Sequence, residues 1–231
     1  MAKYTVLPKK PLPRKKILED LDKILDLYDK RHKIWDEDGI PRLVLIKGLD
    51  KFNPSGESFE QFITNCLCGE KNEKAAPGNG PYKYNKSHQW ILWCHPEAVD
   101  EKAKKVFALY KEKPSIFRPT DFDDFYNEIE KLKVDWYGPV CNYDFCLRYC
   151  WNQNPKIEPV NFVYVHTKPE DSAKILVRLQ VINPYKKGKI PMSSFPDIFR
   201  KHNMSSKDIE NFLCVFKNEL VSLSDKYSSY F

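Results

Sequence analysis

The chain has 231 residues, 42% of them hydrophobic and 30% charged, with a formal net charge of +6. That length supports one large or two small domains around a real core, and the apolar share excludes wholesale disorder. Eight glycines against seventeen prolines fit helices ended by proline better than a glycine-rich all-β fold.

Residues 1–14 place Pro8, Pro11 and Pro13 among basic residues and read as an extended arm. Residues 15–35 read as an amphipathic helix whose face is Ile17, Leu21, Ile24, Leu25 and Tyr28. Gly39 and Pro41 end it, and Leu43-Val44-Leu45-Ile46 is an apolar run compatible with a strand or one helical turn. After a turn over 51–57, Ser58 and Gln61 have capping-box spacing and start another helix. Residues 69–87 hold three glycines before Pro81 and form the longest loop expected. Pro96 suits a first helical position, with Val99, Ala103, Val106, Phe107 and Tyr110 as the inner face that follows.

A second pair of helices is expected around Tyr137-Gly138-Pro139. Thr120 is the expected N-cap of the first, with Phe122, Phe125, Tyr126, Ile129 and Leu132 inward. Pro139 opens the second, with Tyr143, Cys146, Leu147 and Cys150 on its apolar face. An extended segment over 157–165 follows, then a helix after Pro169 carrying Ala173, Leu176 and Leu179, and a basic loop at 186–189. Ser194 is read as the cap of a short helix to about His202. Ser205 with Asp208 caps the last helix, whose face runs from Ile209 to Leu223. The expected fold is therefore mainly α: a multi-helix globular protein with a central helical hairpin and at most one or two short strands. We place a single helical domain at 15–231, with two lobes around the 69–87 loop allowed.

Seven cysteines lie at 66, 68, 94, 141, 146, 150 and 214. The start MAKYTVLPKKPLPRKK has no apolar core of a signal peptide, and no apolar run is long enough to cross a bilayer. We expect reduced thiols, a cytoplasmic location and no membrane partner. Cys66, Cys68, His88, Cys94 and His95 have zinc-ligand chemistry but not the spacing of a ribbon or finger, so no metal and no cofactor are expected. Cys141, near a helix start, is the best-placed thiol for nucleophilic catalysis; no histidine is near it in sequence, and His166 is a base that the fold could bring to it. Asp144 and Arg148 are spaced for a helix-surface ion pair, or else Asp144 is a pocket carboxylate. The last two helices have helix-turn-helix spacing, but their wide apolar face reads as core.

The stretch VDWYGPVCNYD carries the main functional expectation. A turn between two helices can offer backbone N–H groups to a phosphate, and the second helix adds its positive end. With the extended Pro159-Val160-Asn161 segment after helix 140–151, residues 121–165 resemble the helix-hairpin-helix unit of the base-excision DNA glycosylase superfamily. The resemblance covers about a fifth of the chain. Trp136 stands where that family has its first hairpin glycine, and Val140 where a lyase-type member has a lysine. Asn161 stands where the family has an aspartate. The resemblance thus implies backbone contact without glycosylase chemistry. Lys131, Lys133, Gly138, Val140, Cys141 and Arg148 are the expected nucleic-acid-binding residues. Two other classes stand beside it: a protein-interaction module with an aromatic docking surface, and an enzyme acting on a base or nucleotide through Asp144 or Cys141.

Overall fold

The computed structural model describes residues 7–35, 41–43, 59–68, 70–71, 82–83, 96–186 and 188–231. Ser58 and Gly39, the turn at 51–57, the run at 44–46, and His88, Cys94 and His95 lie outside them, as does the side chain of Gln61. Nine α-helices account for most of the described residues, so the protein is mainly α. Among the described residues, strands occur as short antiparallel pairs, each two or three residues long. By its contacts the chain divides into two compact units, Met1–Leu43 with Val160–Phe231, and Val44–Pro159.

In the first unit, α1 (Arg14–His32) buries Ile17, Leu21, Leu25 and Tyr28 completely. These residues recur every three or four positions, so one stripe meets the core while lysines and aspartates stay outside. Full burial of one such aliphatic chain is worth roughly 1.5–3 kcal/mol. The helix ends at His32, short of the expected 35, because Lys33–Trp35 (β1) pairs with Pro41–Leu43 (β2). Phe162–Tyr164 (β5) pairs with Lys189–Pro191 (β6), which frames α6 (Lys168–Arg178). Ser194 does not cap a helix; Met192–Ser194 is a 3-10 turn, and α7 (Asp197–Lys201) starts after Pro196.

Ser205 does cap α8 (Ser206–Val215), through a capping box with Asp208. The last helix is broken, however: Phe216 leaves helical geometry and α9 (Lys217–Lys226) follows. The Phe216 ring stacks on Phe212 at 5.6 Å and meets Tyr28 edge-on at 5.5 Å. The Tyr28 hydroxyl donates to the Asp208 carbonyl at 3.2 Å and accepts from Asn211 at 2.9 Å, which locks α8 to α1.

The second unit contains α2 (Phe59–Cys68), α3 (Pro96–Glu112), a 3-10 turn at Pro114–Phe117, α4 (Phe122–Lys131) and α5 (Pro139–Trp151). The 69–87 segment belongs to this unit; of it only Glu70–Lys71 (β3) and Tyr82–Lys83 (β4) are described, and they pair. The N-cap of α4 is Asp121 rather than Thr120. Asp121 is extended, and its carboxylate accepts from the Asp124 N–H at 3.0 Å. Of the expected inward face, Phe122, Phe125, Tyr126 and Ile129 are buried.

His202, at the end of α7, bridges two carboxylates of α1. Its Nδ1 lies 2.5 Å from Asp29 and its Nε2 3.0 Å from Asp22. Burial disfavours the charged ring, but the two carboxylates outweigh it and raise the pKa above the ordinary histidine value. A raised folded pKa gives stability that is fully present below the unfolded pKa and lost as pH rises through the folded one. In urea unfolding from pH 5 to 8, the stability advantage of the native chain over His202→Gln should shrink as pH rises. Equal slopes in the two proteins would mean the pair does not titrate.

Candidate functional site

The hairpin between α4 and α5 is built on a helix with no solvent face. From Cys141 to Trp151 every residue of α5 is buried. A helix enclosed on all sides must pack rings and satisfy its polar groups against other backbone. Tyr149 serves as the hub. Its ring stacks on Phe125 at 4.8 Å and meets Phe117 edge-on at 5.8 Å. Its hydroxyl donates to the Phe117 carbonyl at 2.6 Å.

Two cations are enclosed with it, each aimed at the end of a helix. Arg148 donates to the Cys66 carbonyl in the last turn of α2 at 3.1 Å, and lies 3.8 Å from the Asp144 carboxylate. The expected surface ion pair is therefore an interior one, with side chains only 6% and 3% exposed. Lys102 of α3 is wholly buried. Its ammonium donates to the Ile129 and Leu132 carbonyls at 2.8 and 2.7 Å, closing the C-terminal end of α4. Burial pulls the Lys102 pKa down to about 8. Cations at helix C-termini meet both the orphan carbonyls and the negative end of the dipole.

The turn itself alternates in and out. Tyr137 is buried; its hydroxyl lies 3.3 Å from the Leu67 carbonyl and 3.4 Å from that of Cys141, and Lys102 sits 5.4 Å from its ring centre. Trp136 is 76% exposed and takes a positive φ of 65°. That left-handed backbone is uncommon for a bulky residue. Gly138 is the N-cap of α5, exposed and extended at φ −79° and ψ −179°. A Cβ built there meets nothing within 4 Å. Its conformation suits any residue, so geometry does not demand a glycine.

The expected binding residues divide accordingly. Lys131 and Lys133 are exposed, and Lys131 is paired with Glu128. The Lys133 carbonyl accepts from Lys105 at 2.5 Å. Gly138 is exposed and Val140 half-buried at the start of α5. Cys141 and Arg148 are buried, 6% and 5% exposed, and do not share that surface. Asp144 is interior as well, and Cys141 and His166 belong to different units. Burial holds the Cys146 and Cys150 thiols well above the usual cysteine range. Of the zinc-type set, only Cys66 has a described side chain, and it is buried. No described helix is long and apolar enough to cross a membrane.

Charge around the hairpin runs against the chain as a whole. Residues 121–140 hold six carboxylates (Asp121, Asp123, Asp124, Glu128, Glu130 and Asp135) against Lys131 and Lys133. Asp124 and Asp135 are exposed, and Glu128 and Glu130 half-exposed. Sequence reading missed Trp136 as a presented side chain and Lys102 as an interior one. The second was in reach, since Lys102 lies three residues after Val99 and four before Val106, on the inner face of α3. No protein-family model, curated protein or solved structure matches the chain.

Lys102→Met should leave two interior carbonyls without a donor and cost about 3 kcal/mol in urea unfolding. Gly138→Ala should stay within about 0.5 kcal/mol of the native chain. Unfolded Lys102 titrates near 10.5 and the folded residue near 8, so the unfolded chain binds more protons between them. The stability gap between native and Lys102→Met proteins should therefore widen from pH 8 to 10.5. A constant gap would place the amine in water.

Proposed function

We propose that the protein is a binding module that works through the turn at 132–140, with Trp136 as the contact residue and a basic protein segment as its partner. The presentation of Trp136 supports this reading: an indole 76% exposed, on a turn whose neighbour Tyr137 is locked inward. Tryptophan brings a large apolar area at low entropy cost and is enriched among residues that dominate binding energy. The carboxylates of α4 and Asp135 supply the complementary sign for lysine or arginine.

A second reading is contact with a nucleic-acid backbone, the function implied by the helix-hairpin-helix resemblance. It draws on the open surface at Gly138, the start of α5 and the exposed Lys131 and Lys133. Trp136 would then stack on a base. Six carboxylates beside two lysines oppose a polyanion, so we rank this second.

Fluorescence anisotropy with a labelled lysine-rich peptide and a labelled single-stranded oligonucleotide separates the two. The first reading expects saturable peptide binding that Trp136→Ala weakens about tenfold or more and Asp135→Asn weakens less. Tighter oligonucleotide binding, falling steeply with salt and lost in Lys131→Glu/Lys133→Glu, would replace it with the second. Binding of neither probe, or native affinity in Trp136→Ala, overturns the use of this turn.

A further inference from the structure

The first unit contains an open cleft of about 700 Å³ between the start of α1, the end of α6 and the 193–200 segment. That is the size of a small-molecule site. Its lining mixes apolar groups such as Val181 and Phe195 with the hydroxyls of Ser193 and Ser194. Three arginines from three helices border it, Arg14, Arg178 and Arg200, against one carboxylate, Asp197. Asp197 is committed to Arg200 at 2.7 Å. Two guanidinium charges are therefore in excess.

Several other cations of the unit are paired. Lys217 meets Asp171 at 2.8 Å, Lys226 meets Asp20 at 2.5 Å and Lys174 meets Glu170 at 3.3 Å. Arg14 and Arg178 have no carboxylate at ion-pair distance among the described residues. The Nε of Arg178 is buried with no hydrogen-bond partner, while its guanidinium lies 4.4 Å from the centre of the Phe231 ring. That nitrogen is out of reach of solvent, so the half-exposed remainder of the guanidinium is what a ligand in the cleft would meet. The first turn of α1 adds to the imbalance: it has Arg14-Lys15-Lys16 and no acidic residue, opposite to what the helix dipole favours.

The geometry points to a phosphate-monoester site in this cleft, with the dianion facing Arg14, Arg178 and Arg200 and the organic group lying against Phe195 and Val181. A phosphomonoester carries about −1.5 to −2 charges at neutral pH, which matches the excess; a single carboxylate leaves one guanidinium unmatched. Arginine forks suit oxyanions whose acceptors lie side by side. The ester is either a free small molecule or a phosphorylated side chain, since both present the same group.

Titration calorimetry on the full chain tests this with phenyl phosphate, a phosphoserine peptide, and benzoate as the monoanion. Saturable phenyl phosphate binding is expected, at least about tenfold tighter than benzoate and weakening as pH falls through the second phosphate pKa near 6. Arg14→Gln and Arg178→Gln should each weaken it about ten- to a hundredfold. Tighter binding of the peptide assigns the site to a phosphorylated chain, and tighter binding of phenyl phosphate to a small molecule. Should Arg178→Gln fail to fold by circular dichroism, Arg14→Gln decides, because Arg14 is exposed and holds nothing in the fold. Absence of saturable binding to the native chain, or native affinity in Arg14→Gln, overturns the proposal.

Discussion

A helix enclosed on every side must find partners for its polar residues inside the core, and α5 is enclosed from Cys141 to Trp151. The second unit resolves this with two interior cations, each set against the carbonyl end of a neighbouring helix. Arg148 closes α2, and Lys102 closes α4. Each buried charge thus meets an array of carbonyl dipoles, which offsets part of its desolvation. Helix ends that would otherwise be orphaned become the fixed points from which the hairpin is hung.

That arrangement decides what the hairpin shows to solvent. The Lys102 ammonium and the Tyr137 ring share one interior corner, so Tyr137 cannot turn outward without leaving Leu67 and Cys141. The residue before it is placed outside by the same constraint, in a left-handed conformation. Exposure of Trp136 is therefore a consequence of core packing rather than of a loose loop, and a presented side chain held by a rigid base loses little entropy when it binds.

Local rules carried the sequence reading where the signal was local. The stripe of α1 and the capping box of Ser205 and Asp208 follow from spacing alone, and both stand in the structure. Boundaries moved where two chemistries competed: Asp121 outdid Thr120 because a carboxylate in extended geometry reached the Asp124 N–H. The break at Phe216 was hidden, because the apolar period runs through it; its ring packs edge-on against Tyr28. Arg148 and Lys102 were hard to place as interior residues for a related reason, although the spacing of Lys102 from Val99 and Val106 pointed inward. Charge predicts exposure unless a partner is known, and their partners are carbonyls of helices 82 and 27 residues away in the chain.

The division of the chain has a consequence for how the protein is made. The unit 44–159 is continuous in sequence, whereas its companion joins residues 1–43 to residues 160–231. During synthesis α1 must wait, its apolar stripe unmatched, until α8 and α9 have left the ribosome. The nested unit can complete itself in the meantime. Closure of the outer unit then rests on bonds of very long sequence separation, such as Tyr28 to Asp208 and Lys9 to Tyr230. Such bonds make it the slower partner to assemble.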